Sequence, residues 1–435
     1  MNFIEELKWR GMLHQTMPGT EEQLQKEMTS GYIGFDPTAK SLHIGNLATV
    51  MLLVHLQRAG HKPYALVGGA TGMVGDPSGK SSERKFLDEN ILRENQAGVK
   101  GQLEKFLDFD CGENAAEMVN NYDWFKDFGF LQFLRDVGKY ISVNYMMGKD
   151  SVKTRLTTGI SYTEFTYQLL QGYDFYHLYK NKNVRIQMGG SDQWGNITTG
   201  TELIRRKENA DTDAESADYT AFALTTPLVT KADGAKFGKS ESGNVWLDPE
   251  LTSPYQFYQF WINQSDEDCK KLIRVFTLLS HEEIKKREAE QEEAPHLRVV
   301  QKAIAKDVTV RVHGQEQYDL AVKASQVLYG KATLEMLQEL DEKTFTSVFD
   351  GVPQTDISKA DYEDCESLLD LISVTTNGEI YTSKSEARRA LKGNAVSINK
   401  SKLQDEKLAV SQLTLLNDKF LLIGKGKKNH IVRVG

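Results

Sequence analysis

The sequence predicts an α/β fold on a parallel sheet, then a helical stretch, then a small separate tail domain of mixed helix and strand. Three observations point there. Strand-like runs near the N-terminus end in glycines and lead into helices. Residues 250–345 keep a helical pattern with charge-rich faces. Basic residues crowd into the last 65 positions.

Residues 1–30 read as helix and loop, with a break at Pro18 and Gly19. GYIGFD, residues 31–36, reads as a strand that runs into a turn at Pro37. A helix follows over about 44–58, because Ile44, Leu47, Val50, Met51, Val54 and His55 recur every three to four residues. Gly60 ends it, and KPYALVGG is the next strand. Strand, turn, helix and strand in this order open a parallel sheet. VRIQMGG, residues 184–190, is a further strand ending in glycines, and a helix follows. Short strands flank the polar loop KADGAKFGKSESG. QTDISKADYEDCE reads as a linker, and KFLLIGKG and HIVRV are strands of the tail.

The 435 residues allow two or three domains. No run approaches 18 apolar residues, so no membrane span is expected. The N-terminus, MNFIEELKWRG, has early acids and no leader-like apolar run, which predicts a cytoplasmic protein. Cys111, Cys269 and Cys365 lie far apart and are expected to be singly buried thiols, not metal ligands or disulfides. The formal charge is −8, yet residues 371–435 carry +7 and the rest −15. An acidic body with a basic tail predicts local contact with a polyanion.

Five segments carry candidate chemistry. In DPTAKSLHIGN, Pro37 sets a turn, Thr38 or Ser41 can cap the helix, and His43 and Asn46 share its first turn beside free N–H groups. That arrangement suits nucleotide phosphates. GGATGMVGDPSGKSSERK holds five glycines in twelve residues and then Lys80, Arg84 and Lys85, without Walker spacing. Its Asp76 can bind an amino group. In SYTEFTYQLLQGYDF, helical spacing puts Tyr167, Gln171 and Asp174 on one face. GGSDQWGN gathers Asp192, Gln193 and Asn196 after a strand. KFGKS sets Lys236, Lys239 and Ser240 in a glycine-bearing loop, suited to charge that grows during phosphoryl chemistry. No HExxH, CxxC or GxSxG pattern occurs.

Together with NNYDW, these segments resemble the tyrosyl-tRNA synthetases of bacterial type, a family of class I aminoacyl-tRNA synthetases. HIGN stands where the family has HIGH, and KFGKS where it has KMSKS. The resemblance spans essentially the whole chain. It implies a Rossmann-like, dimeric catalytic domain over 1–245, a helical domain contributing to tRNA binding over 246–350, a linker over 351–370, and an S4-like RNA-binding domain over 371–435. It implies that Tyr32 and Asp174 bind the tyrosine hydroxyl, that Asp76, Tyr167 and Gln171 hold its ammonium, and that Gln193 lies near its carboxylate. Gly34, Asp36, Gly190 and Asp192 would line the adenylate, Thr49 and Asn46 the ribose, and His43 a phosphate. Lys80, Arg84, Lys236 and Lys239 would hold pyrophosphate, with Ser240 beside them. In the tail, SKSEARRALKGNAVSINK pairs Ser383 with Glu386 as a capping box and presents Lys384, Arg388, Arg389 and Lys392 to RNA.

The implied partners are L-tyrosine, ATP, tRNA(Tyr) and a second copy of the chain. Mg²⁺ would accompany ATP, with no tight protein metal site. The rival readings are an RNA-binding paralogue that has lost activation and a synthetase for another aromatic amino acid. Tyr32 and Asp174 speak against the second.

Overall fold

Six strands form the main sheet: β1 (Gln15–Thr16), β2 (Ser30–Phe35), β3 (Lys62–Val67), β4 (Glu117–Asn120), β5 (Val184–Gly190) and β6 (Phe222–Thr226). This computed structural model describes residues 2–76, 89–156, 159–210, 218–232, 234, 237–240, 243–329, 333–350, 352–426 and 428–435. The strand order is β1-β6-β5-β2-β3-β4. All neighbours are parallel except β1, which lies antiparallel on β6. From β2 the chain fills the sheet first toward β3 and β4, then on the other side with β5 and β6. The order therefore reverses between β2 and β5, where an open parallel sheet leaves a crevice beyond its carboxyl ends.

The helix Ile44–Arg58 crosses between β2 and β3. Every apolar position named above for it is buried, and so is His55. Its N-cap is His43, whose N–H donates to Asn46 Oδ1 at 3.1 Å. Ser41, an expected cap, instead donates to Leu42 O and accepts from Gln102 Nε2 and Asp248 N. Thr38 is not the N-cap either.

The loop that leads into this helix is held by another helix, Glu89–Leu103. Asn95 Nδ2 donates to Pro37 O at 3.0 Å, and Gln102 Oε1 accepts from Leu42 N at 2.7 Å. Between them Gly98 meets the loop so closely that a Cβ there would stand 2.0 Å from Lys40 O. Asn95, Gly98 and Gln102 follow helical spacing and form one face.

The helix Tyr162–Lys182 starts on a Ser161–Glu164 capping box. Arg155 binds both Glu164 oxygens at 2.9 Å, and both side chains are buried. Bidentate geometry fixes the entry angle of this helix.

The helical stretch runs from Pro254–Ile262 to Glu342–Val348. The chain divides into two compact units: residues 1–252 with 260–312, and residues 253–259 with 313–435. In the first unit β7 (Lys239–Ser240) and β8 (Gly243–Asn244) form a two-stranded sheet; in the second a five-stranded sheet has the order β11-β10-β12-β13-β9, from β9 (Gln354–Ile357), β10 (Val396–Ile398), β11 (Ser401–Lys402), β12 (Phe420–Lys425) and β13 (Lys428–Val434).

The linker expected over 351–370 is corrected here. Residues 354–357 are a strand parallel to β13, Lys359–Glu363 is a helix, and Tyr362 and Leu368 are buried in the tail core. The strand buries Thr355 and Ile357 only, too little apolar signal for four residues to announce themselves. The capping box at Ser383 is also half of what was expected. Ser383 accepts from Glu386 N, but the Glu386 carboxylate turns to Thr382 N and Oγ1. Of the three thiols only Cys269 is buried, whereas Cys111 is exposed and Cys365 half-buried. Among the described residues no helix is long and apolar enough to cross a membrane.

Candidate active site

A cavity of about 560 Å³ opens at the carboxyl ends of β2 and β5. It collects thirteen of the expected residues: Tyr32, Gly34 and Asp36 from β2 and its turn; His43, Asn46 and Thr49 from the next helix; Asp76; Tyr167, Gln171 and Asp174; and Gly190, Asp192 and Gln193. Lys80, Arg84 and Lys236 lie outside the described residues, and Lys239 and Ser240 are described in backbone alone.

The floor is polar and buried. Tyr32 and Asp174 are 1% and 2% exposed. The Tyr32 hydroxyl has no hydrogen-bond partner among the described residues. Asp174 Oδ2 accepts from Asn121 Nδ2 at 3.1 Å and Oδ1 from Trp124 Nε1 at 2.9 Å. Burial pushes its pKa up to about 8; the two hydrogen bonds pull it down, and nearby Asp36 raises it again. Burial, then Asp174, raises Tyr32 well above the ordinary phenol range. A buried hydroxyl without a partner is costly, and a ligand that completes the bond removes the cost.

Above the floor the side chains interlock. Tyr167 OH donates to Asp36 Oδ2 at 2.8 Å, and Thr71 Oγ1 donates to Asp36 Oδ1 at 2.7 Å. Burial first, and then Asp36, raise Tyr167 well above its usual range. Gln193 Nε2 donates to Asp76 Oδ2 at 2.7 Å, and Asn196 Nδ2 donates to Asp76 Oδ1 at 3.3 Å. Carboxylate, amide and phenol oxygens therefore converge on one side, a setting for an ammonium group.

The opposite wall is the start of the helix Ile44–Arg58. Thr49 Oγ1 donates to Asn46 O, and the His43 ring meets Trp246 edge-on at 5.7 Å. The KFGKS segment is joined to this wall through its backbone. Gly238 has φ +91°, and a Cβ there would stand 3.0 Å from Gly45 N. Glycine at this position, where the usual signature has serine, allows both the conformation and the approach. Val245 N donates to Gly238 O, and Val245 O accepts from Ile44 N. Phe237 is buried among the rings of Phe260, Trp261 and Phe276 and anchors the segment.

Sequence reasoning gave no role to Asn121, Trp124 or Thr71. NNYDW was visible as a segment, but nothing in its spacing says that two of its side chains turn toward an acid fifty positions away. In the tail helix Lys384–Lys392 all four cations are exposed; Lys384 pairs with Asp370 and Arg388 with Glu406.

Known proteins share this architecture. A family model described as "tRNA synthetases class I (W and Y)" matches residues 24–330, and one described as "Tyrosine--tRNA ligase SYY-like C-terminal domain" matches residues 344–432. The tyrosine–tRNA ligase of Cytophaga hutchinsonii is 62% identical over 429 residues, spanning 99% of this chain and 98% of that one. The tyrosine–tRNA ligase of Porphyromonas gingivalis strain W83 is 58% identical over 435 residues, with 99% of each chain covered. A C-terminally truncated mitochondrial tyrosyl-tRNA synthetase of Aspergillus nidulans superimposes with a TM-score of 0.66 at 31% identity, over 75% of this chain and 94% of that one. The chain belongs to the class I tyrosyl-tRNA synthetases of bacterial type.

Proposed function

We propose that this protein is a tyrosine–tRNA ligase: it activates L-tyrosine with ATP to tyrosyl-adenylate and pyrophosphate, then transfers tyrosyl to the 3′ end of tRNA(Tyr) and releases AMP. The observation that carries the reading is the cavity floor, where the unpartnered Tyr32 hydroxyl and the Asp174 carboxyl lie together in a buried site. A substrate phenol completes both.

In this reading Asp76, Tyr167 and Gln171 take the tyrosine ammonium, and Gln193 lies near the carboxylate. Gly34, Asp36, Gly190 and Asp192 line the adenylate, Thr49 and Asn46 its ribose, and His43 a phosphate. Lys80, Arg84, Lys236 and Lys239, with Ser240, meet the pyrophosphate. The tyrosine carboxylate is already ionised, so no protein base or nucleophile is needed. Its oxygen bonds to the α-phosphorus as the bond to the leaving pyrophosphate breaks. Alignment and fixed positive charge supply the acceleration. Mg²⁺ would accompany ATP and offset part of the negative charge on its phosphates. The reaction belongs in the cytoplasm.

Tyrosine-dependent exchange of pyrophosphate into ATP tests activation. Exchange with tyrosine, far above that with phenylalanine or tryptophan, is expected. A folded protein with no exchange would instead be an RNA-binding paralogue.

The tail binds tRNA in this reading. All four helix cations are exposed, and Arg389 and Lys392 should matter more than Lys384 and Arg388, which are engaged in ion pairs. Arg389→Glu with Lys392→Glu should lower kcat/KM for tRNA charging about 10-fold and flatten its salt dependence, with exchange unchanged. Equal loss of both steps would mean that the tail supports the catalytic unit.

The working form is a homodimer. The helices Phe130–Asp136 and Val143–Met147 lie over one small core of Val137, Ile141, Met146, Leu169 and Leu203. Their outer faces leave Phe130, Leu131 and Val143 64%, 79% and 60% exposed. An apolar surface of this kind marks an interface. Light scattering should find a dimer for the natural chain and a monomer for Leu131→Asp; a dimer in both would place the interface elsewhere.

A further inference from the structure

The two partners of Asp174 are held in different ways. Asn121 is fully buried, and its capacity is committed: Nδ2 donates to Asp174 and to Thr71 Oγ1, and Oδ1 accepts from Ala70 N. Trp124 is only half-buried. It sits in the four-residue helix Tyr122–Phe125, whose first N–H, that of Tyr122, donates to Asn120 Oδ1, and it packs at the edge of the core around Tyr32 and Phe175. Hydrogen bonds within so short an element do little to fix a large ring.

The Trp124 ring lies against His177, with centroids 4.4 Å apart and planes 15° from parallel. His177 follows Asp174 by three residues on the same helix, so one helical face holds both the indole N–H and the indole surface. Burial lowers the His177 pKa, so near neutral pH the stack is between uncharged rings. Such contacts contribute orientation beyond the area they cover.

We propose that His177 is a positioning residue for tyrosine selection, which keeps the Trp124 N–H aimed at Asp174 by stacking on the indole. The inference rests on the reading of this cavity as a tyrosine pocket, which exchange by the natural protein tests separately. When the indole is free to swing, one carboxyl oxygen loses its donor. The carboxyl then turns, and the hydroxyl of tyrosine meets it poorly. Phenylalanine, which has no hydroxyl, does not sense the change.

His177→Ala, His177→Phe, Trp124→Phe and the double variant Trp124→Phe with His177→Ala should be compared in pyrophosphate exchange. His177→Ala should raise KM for tyrosine about 3- to 10-fold, the span of one ordinary hydrogen bond, with kcat little changed. Phenylalanine kcat/KM should stay level, so selectivity should fall by the same factor. His177→Phe, which keeps a ring, should restore tyrosine KM to within about 2-fold. In the Trp124→Phe background, His177→Ala should add nothing, because the N–H it aims is gone. An unchanged tyrosine KM in His177→Ala would overturn the proposal. So would a parallel loss for tyrosine and phenylalanine, or additive effects in the double variant.

Discussion

Asp174→Asn should lower kcat/KM for tyrosine activation by roughly two orders of magnitude, about 3 kcal/mol. Both oxygens of Asp174 already accept N–H bonds, from Asn121 and Trp124. An amide offers one acceptor and one donor, so one of those N–H groups would face another donor in a buried site. The hydroxyl of tyrosine would also lose its strongest acceptor. Tyr32→Phe is the contrasting case. It should cost tyrosine only about 0.5–1.5 kcal/mol, since it removes one ordinary hydrogen bond. Its thermal stability should hold or rise, because the lost hydroxyl is buried without a partner. Exchange kinetics with tyrosine and phenylalanine, beside thermal unfolding, check both variants. Wild-type selectivity in both would move the hydroxyl site elsewhere.

The same carboxyl gives a pH signature. Its pKa is raised from 3.8 to about 8 by burial. The stability tied to its proton is therefore complete below about 4 and is lost as pH rises through about 8. A phenol donating to the carboxyl favours its ionised form, so tyrosine binding should lower this pKa. Near pH 7 binding should then release part of a proton, and well above pH 8 none. Calorimetry in two buffers of different ionisation enthalpy reads the release; uptake of a proton would contradict it.

Gly98→Val should lower kcat of activation about 100-fold, with a smaller change in KM for tyrosine. A Cβ at 98 would stand 2.0 Å from Lys40 O, so either the helix Glu89–Leu103 or the loop before His43 must move. Misplacing catalytic groups by about 1 Å can cost that much. The tyrosine floor lies on other elements and should survive. Gly98→Ala should show the same direction, with overpacking of about 1–3 kcal/mol offset by a gain in helix propensity of about 1 kcal/mol. Stopped-flow adenylate formation measures the step, and an unaltered rate would show that the loop tolerates the displacement.

The sequence was most legible where one residue type has one structural use. Glycines after β3 and at the end of β5 marked the strand ends, and the apolar positions named for Ile44–Arg58 are all buried, as are Ala48, Leu52, Leu53 and Leu56, which the period did not name. Spacing put Tyr167, Gln171 and Asp174 on one face, and all three line the cavity. What could not be read depends on contacts across the chain. Asn95, Gly98 and Gln102 look like polar and small residues of a solvated helix until the Pro37–Leu42 loop is laid against them. Ser41 looked like a cap because its type suits one; the competing demand from Gln102 and Asp248 is invisible locally. β9 needed its partner β13, which is seventy-seven positions later in register, to appear as a strand at all.

The unpartnered hydroxyl of Tyr32 also ties the enzyme's survival to its supply of substrate. The described residues give that hydroxyl no partner, and a bound tyrosine would supply one. A ligand that binds only the folded chain stabilises it by mass action, about 2.7 kcal/mol at one hundred times its Kd. Free tyrosine therefore acts as a chaperone for the protein that consumes it. In a cell starved of tyrosine, the synthetase should be the softer target for heat and proteases, and its abundance should fall with the amino acid it has no longer any to load.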